Sequence, residues 1–103
     1  MKARKIISAF AKEDLSEIVK WYESQQKGLG KRFLNEMKEA FDVISKYPTG
    51  FQIRYDDYRI YFTKTFSYGV HYKYLAEKNE IHITAIFHTA RNPQIWEQRI
   101  SFL

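Results

Sequence analysis

The sequence predicts an α+β fold in a single domain of 103 residues, with the element order β-α-α-β-β-β-α. Three observations lead to this prediction. Apolar residues recur at helical spacing in the first half of the chain, and from Phe51 onward they follow the two-residue period of strands. Aromatic residues make up 17% of the chain, which gives so small a domain a large area to bury. We therefore expect an antiparallel sheet with an N-terminal helical hairpin on one face and a short C-terminal helix.

The first half of the chain predicts one strand and two helices. The β-branched run ARKIIS indicates a strand, and its last residue, Ser8, stands at the N-cap position of the first helix. The glycines of QQKGLGK separate the helices, and so short a link makes them antiparallel. The YPTG stretch ends the second helix because Pro48 cannot continue it. The apolar positions of the two helices are Ala11, Leu15, Ile18, Val19 and Tyr22, then Phe33, Met37, Ala40, Phe41 and Ile44.

The second half predicts three strands, in YRIYFTKTF, YGVHYKYLA and IHITAIFH, joined by the short turns FSY and EKNE. Regular alternation divides the last strand into two faces, one of which should meet the helices. The members of one face are Ile81, Ile83, Ala85 and Phe87, and those of the other are His82, Thr84, Ile86 and His88. After this strand, Asn92 and Pro93 predict the start of the C-terminal helix.

The composition excludes several kinds of site. No cysteine is present, which excludes disulfides and thiol nucleophiles, and His71, His82 and His88 lack the spacing of a structural metal site. We therefore expect neither a metal nor a cofactor. The formal net charge of +5 favours a polyanion or an acidic protein as the partner. The sequence shows no signal peptide and no apolar run of about 18 residues, so we expect a cytoplasmic protein that does not enter a membrane.

Four features occur in order along residues 8–99. They are EDLSEIVKWYESQQKGLGKRFLNEMKEAFDVISKYP, then YRIYFTKTFSYGVHY, then AIFHTARNP, and finally Trp96. In this order they resemble the RelE/ParE superfamily of bacterial toxins from type II toxin–antitoxin modules. The fold that this resemblance implies, an antiparallel sheet with a helical hairpin on one side, agrees with the prediction above. One departure is visible, because a turn that often has the sequence Phe-Pro-Tyr in the family contains Phe66, Ser67 and Tyr68 here.

The resemblance implies one of two targets. RelE-like members are metal-independent endoribonucleases that cleave mRNA on the translating ribosome, whereas ParE-like members are not enzymes and inhibit DNA gyrase. RelE-like nucleases usually have a tyrosine close to the C-terminus, but this sequence ends RISFL. The helical hairpin and the HTARNP stretch are ParE-like, so we predict a gyrase inhibitor and keep the mRNA endonuclease as the alternative. In both cases the resemblance implies a cognate acidic antitoxin that wraps the toxin as a hetero-oligomer and can add a strand to the sheet edge.

The candidate site residues are Arg59, His88 and Arg91. The resemblance places Arg59 at the arginine position of the family, and the other two residues stand where the final strand ends. In a RelE-like nuclease a histidine beside two arginines would supply the acid or base and the cations that act on the scissile phosphate. In a ParE-like toxin the same three residues would bind the target.

Structural roles remain open for each candidate. Arg59 could form an exposed ion pair with Asp56 or Asp57, and His88 could bond carbonyl groups of a turn. Arg91, together with the asparagine that follows it, could cap the C-terminal helix.

Two aromatic residues are predicted to anchor the core. Phe41 lies on the apolar side of the second helix, and Trp96 should pin the C-terminal helix to the sheet. Trp21 lies off the apolar stripe of the first helix, so it is either at the flank of the core or exposed.

A small nucleic-acid-binding module is the outside alternative. In such a module the sheet would stack bases on tyrosines, for which the candidates are Tyr61, Tyr72 and Tyr74. The predicted element order argues against it, because RNA-recognition sheet domains alternate βαββαβ.

Overall fold

The computed structural model describes residues 2–89, and their elements follow the predicted order with one additional strand after the helices. The elements are β1 (Arg4–Ile7), α1 (Ala9–Gln25), α2 (Leu29–Lys46), β2 (Ile53–Tyr55), β3 (Tyr58–Phe62), β4 (Tyr68–Leu75) and β5 (Glu80–His88). The predicted α+β fold is confirmed. The predicted C-terminal helix, with Asn92, Pro93 and Trp96, lies outside the described residues, and so does Arg91.

The strands form one five-stranded sheet in the order β1-β5-β4-β3-β2. The pairs from β5 to β2 are antiparallel, as predicted, whereas β1 lies parallel to β5 at the sheet edge. A parallel pair needs a long connection, which the helical hairpin and the following strands provide. β2 is the one strand in residues 2–89 that the alternation did not predict, because its three residues are too few to show a period.

Hydrogen bonds stabilise the start of each helix of the hairpin. The hydroxyl of Ser8 accepts a hydrogen bond from the N–H of Ala11 at 3.1 Å, which confirms the predicted N-cap. At the link, the carboxylate of Glu23 accepts hydrogen bonds from the N–H groups of Gly28 and Gly30 at 3.0–3.1 Å. Gly28 has a φ of +88°, which favours glycine, so this residue allows the tight turn between the helices.

The core lies between this hairpin and one face of the sheet. Phe41 is buried within it, as predicted, whereas the indole of Trp21 is 57% exposed. Tyr72 is fully buried here, and Tyr61 and Tyr74 pack against the same core. These tyrosines therefore face the helices and cannot stack bases as the nucleic-acid-binding alternative requires.

A β-bulge in β5 corrects the predicted division of its faces. His71 of β4 pairs with Ala85, and the next residue, Tyr72, pairs with Ile83, so Thr84 is the extra residue. The alternation therefore changes phase at this point. Ile86 joins the core with the two earlier isoleucines of the strand, whereas Ala85 points to the opposite face. Regular alternation could not show this change because a bulge shifts the period without changing the residue types.

The turn between β3 and β4 explains the departure from the Phe-Pro-Tyr sequence. Ser67 has a φ of +56°, which proline cannot adopt. The carbonyl of Ser67 accepts a hydrogen bond from the N–H of Thr89 at 2.9 Å, which ties the turn to the end of β5. The carboxylate of Glu36 in α2 accepts hydrogen bonds from the N–H groups of Thr65 and Phe66 at 3.1 and 3.0 Å. The turn is thus fixed to both the sheet and the helices.

Candidate functional site

Arg59, the second residue of β3, fixes the connection between α2 and β2. Its Nη1 atom donates a hydrogen bond to the carbonyl of Phe51, and the side chain is half-buried. Beside it, the hydroxyl of Tyr72 donates to the carbonyl of Pro48 at 2.8 Å. Within residues 2–89, Arg59 forms an ion pair with neither Asp56 nor Asp57, and Asp57 instead pairs with a lysine of β4 at 3.2 Å.

Burial raises the pKa of the Tyr72 phenol to about 12, and the nearby charge of Arg59 opposes this rise. The phenol therefore keeps its proton at neutral pH and remains a hydrogen-bond donor. Both groups hold the loop after α2 through its carbonyl oxygens, so the geometry gives Arg59 a structural contact.

His88 ends β5 in a different environment. Its exposed ring meets the ring of Tyr68 edge to face, with 5.2 Å between centroids. The histidine lines a cleft of about 200 Å³ together with Asp14 and Glu17 of α1. Asp14 also accepts a hydrogen bond from the N–H of Ile86 at 3.1 Å. Among residues 2–89, the neighbours of His88 are therefore acidic and aromatic, and none of these neighbours attracts a phosphate.

Arg59 and His88 lie at different levels of the sheet. Arg59 pairs with Tyr72 of β4, whereas His88 pairs with Tyr68, four residues away along that strand. Four residues of strand span roughly 13 Å, and β3 is separated from β5 by two strand spacings of about 4.8 Å. The structure does not bring these two predicted site residues together. Arg91, the third, lies outside residues 2–89.

Another histidine forms a cluster that the sequence analysis missed. Nδ1 of His71 lies 2.7 Å from the hydroxyl of Tyr55, on the sheet face opposite the helices. Tyr58 stacks on Tyr55 with 5.3 Å between ring centroids, and Phe87 meets His71 edge to face at the same distance. These four rings come from four different strands, so no local sequence pattern links them.

The Tyr55 hydroxyl can act as the donor in this cluster. Burial raises the pKa of its phenol, and the charges of Tyr58 and Asp56 raise it further. The phenol keeps its proton and can donate it to Nδ1 of a neutral His71, which leaves the proton of the imidazole on Nε2. A histidine and a tyrosine in contact have the groups for acid–base chemistry. However, His71 is only 1% exposed, so a substrate cannot reach it in this conformation.

Neither a metal centre nor a membrane-spanning helix is found in the described part of the chain. Among residues 2–89, no three His, Asp or Glu side chains are grouped so that they could hold a metal ion. In the same residues, no helix has the length and apolar character that crossing a membrane requires.

The family follows from the sequence of residues 6–93, which matches the ParE toxin of type II toxin-antitoxin system, parDE. The chain belongs to this family. The match covers the second half of β1, the helical hairpin and strands β2 to β5, and it agrees with the resemblance to the RelE/ParE superfamily. No curated protein sequence matches the toxin.

Two solved structures share the fold of the toxin. One belongs to the toxin-antitoxin complex RelBE2 from Mycobacterium tuberculosis, with 18% identity and a TM-score of 0.61 over 85% of this chain and 99% of that chain. The other is the E. coli toxin RelE in the free state, in which two arginines are replaced by alanine. It has 10% identity and a TM-score of 0.64 over 100% of this chain and 99% of that chain. At these identities the likeness shows the fold alone.

Proposed function

We propose that this toxin inhibits DNA gyrase. The observation that carries the proposal is the separation of Arg59 from His88. A metal-independent ribonuclease needs an acid, a base and cations around one phosphate. Here Arg59 is engaged by the carbonyl of Phe51, and His88 lies beside two carboxylates. This arrangement favours a toxin that binds its target over one that cleaves RNA.

We further propose that a cognate acidic antitoxin neutralises the toxin by wrapping it. The net charge of +5 complements an acidic segment, and the matching structure of RelBE2 comes from a toxin-antitoxin complex. Both edge strands of the sheet carry basic residues, Arg4 and Lys5 on β1 and Arg54 on β2, so an acidic strand could pair with either edge. Co-expression with the protein encoded beside the toxin should give a complex with a dissociation constant in about the nanomolar range. A toxin that elutes alone would contradict this proposal.

The second candidate function is ribosome-dependent cleavage of mRNA. The contact between Tyr55 and His71 favours it, because it joins two groups capable of proton transfer. For this function the buried His71 would have to become accessible on the ribosome.

Two assays on the purified toxin separate these functions. The first is supercoiling by purified gyrase, which we expect the toxin to inhibit and the antitoxin to restore. The second is primer extension on mRNA bound to translating ribosomes, in which we expect no new ends. Codon-positioned cuts that disappear with His71→Asn, and a supercoiling reaction that proceeds unchanged, would assign the toxin to the nucleases instead.

A further inference from the structure

We propose that the outer face of the helical hairpin binds the phosphate backbone of duplex DNA. Four exposed lysines define this surface, here named the lysine face: Lys12 and Lys20 on α1, and Lys31 and Lys38 on α2. The choice of DNA rests on the proposed function, because gyrase acts on duplex DNA. The inference adds a contact that the toxin itself makes with the nucleic acid.

Helix packing arranges the four lysines as two facing pairs. A Cβ atom on Gly30 would lie 2.7 Å from the carbonyl oxygen of Val19, so these two residues are in contact at one level of the hairpin. The helices are antiparallel and rise equally per residue, which puts Lys20 level with Lys31 and the other two lysines level with each other. The side of the hairpin that meets the sheet is buried, so these exposed lysines lie away from that side.

The resulting spacing suits a charged backbone. Within each helix the lysines are separated by two turns, or about 11 Å along the axis, and packed helices lie about 8–10 Å apart. Duplex DNA carries one negative charge per roughly 1.7 Å of its axis, and its minor and major grooves are about 6 and 12 Å wide. Four ammonium groups at the corners of such a rectangle can contact phosphates on both sides of a groove.

Within residues 2–89, the four lysines of this face are not held in ion pairs. None of its four lysines forms an ion pair with a described residue, whereas Lys2, Lys46 and Lys73 each pair with an aspartate. Glu23, the acidic residue nearest the link, is engaged by the backbone N–H groups at the start of α2. The exposed carboxylates of Glu13, Glu17 and Glu39 lie on the same two helices but form no ion pair with these lysines, so the four ammonium groups remain available to a partner.

The side chains on this face favour phosphates over a protein partner. Lysine is depleted at the cores of protein interfaces but binds phosphate well as a point charge. Trp21, an exposed aromatic residue of α1, follows Lys20 directly and so points about 100° away from it around the helix. Unpaired bases would therefore find no indole to stack on beside the lysines, which favours a duplex over a single strand.

The test measures binding of the toxin to a short duplex DNA by fluorescence anisotropy over a range of salt concentrations. The test variant combines Lys12→Gln, Lys20→Gln, Lys31→Gln and Lys38→Gln. The matched control removes the same charge elsewhere, with Lys2→Gln, Lys64→Gln, Lys73→Gln and Lys78→Gln. Each lost phosphate contact lowers the salt slope by about 0.9, so the test variant should lose about 3 to 4 units and the control about 1 or less. Equal losses in the two variants would overturn the proposal.

Three further measurements use the same variants. Duplex RNA of the same length should bind no more tightly than DNA, and tighter binding would contradict the choice of DNA. The test variant should still bind the antitoxin, and a loss there would assign the face to the antitoxin instead. Circular dichroism should show that both variants fold, since all eight positions lie on the surface or near it.

A gyrase supercoiling assay separates this inference from the proposed function. The test variant should inhibit supercoiling at least about tenfold less than the control, because a tenfold loss corresponds to only about 1.4 kcal/mol. If the parent inhibits gyrase and the test variant inhibits it equally, this inference fails while the proposed function stands. If the parent leaves gyrase active but binds DNA through the lysine face, the proposed function fails and the lysine face stands.

Discussion

Two regions on the helix-covered face of the sheet are fixed by opposite kinds of hydrogen bond. In the Arg59 region, side chains of the sheet donate to carbonyl groups of the loop after α2. Arg59 donates to Phe51, and Tyr72 donates to Pro48. In the His88 region, side chains of the helices accept from backbone N–H groups of the sheet. Asp14 of α1 accepts from a backbone N–H group of β5, and Glu36 of α2 accepts from backbone N–H groups of the turn before β4.

This difference shows that two residues predicted to belong to one site can have different roles: one holds the fold, and the other lies beside a cleft. The resemblance predicted Arg59 as a site residue at the arginine position of the family, and His88 as one at the end of the final strand. The arginine is engaged in holding its own chain, whereas the histidine is exposed beside a cleft. The two regions should also respond differently to acid, because an arginine stays charged and the pKa of Tyr72 is raised to about 12.

The largest expected effect comes from the core that joins the two regions. Phe41→Ala should lower the free energy of unfolding by about 3–5 kcal/mol, since the ring is buried and its removal leaves a cavity. Urea unfolding followed by circular dichroism measures this change. Asn35→Ala, on an exposed position of the same helix, should stay within about 0.5 kcal/mol of the parent. If Phe41→Ala unfolds like the parent, the core does not depend on this ring.

The next effect tests the Arg59 region. Arg59→Ala should cost about 1.5–3 kcal/mol of stability, because it removes a charged donor from the Phe51 carbonyl in a half-buried site. The matched control is Arg54→Ala on the neighbouring strand. Arg54 is exposed and lies 5.3 Å from the ring of Phe62, a contact worth about 1 kcal/mol at most at the surface. Equal losses of stability in the two variants would show that Arg59 has no structural role.

The sequence predicted the fold well because its signals are local. The helices show apolar residues at regular spacing. Ser8 caps α1 through a hydrogen bond to a residue only three positions later in the sequence. The parallel pairing of β1 and the bulge at Thr84 could not be predicted in this way. Both depend on which strands meet in space, and neither changes the kinds of residue in the strand.

The candidate site was predicted less well than the fold. Arg59 is of a residue type that is common in functional sites. Its partner is the backbone carbonyl of Phe51, and no pattern of side chains reveals such a contact. The alternation of β4 could have placed His71 on the face opposite the core. Its contact with Tyr55 joins residues sixteen positions apart across three strands, so only the structure shows the pair.

A smaller effect tests the acid sensitivity of the His88 region. Burial raises the pKa of Glu36, but hydrogen bonds from Phe66 and Thr65 lower it more, so the net shift is downward from 4.5. A lowered folded-state pKa adds stability that is present above pH 4.5 and is lost as the pH falls through the folded value. Glu36→Gln should lower the free energy of unfolding by about 1 kcal/mol at neutral pH. It should also make this free energy less dependent on pH in the acid range.

The control for this prediction is Glu39→Gln, on an exposed position of the same helix. It should leave both the stability and its acid dependence close to those of the parent. Unfolding by urea at a series of pH values between neutral and acid measures both quantities. If Glu36→Gln keeps the full acid dependence of the parent, the carboxylate of Glu36 does not hold the turn.

The smallest effect is expected at His88 itself. The ring is exposed, and it meets the ring of Tyr68 edge to face. His88→Ala should therefore change the free energy of unfolding by no more than about 0.5 kcal/mol and leave most inhibition of gyrase in place. Tyr68→Ala, which removes the buried ring beneath it, should unfold the toxin far more readily. If the parent cleaves mRNA and His88→Ala does not, this histidine is catalytic. The His88 region would then be the functional site of the toxin, and the Arg59 region would remain structural.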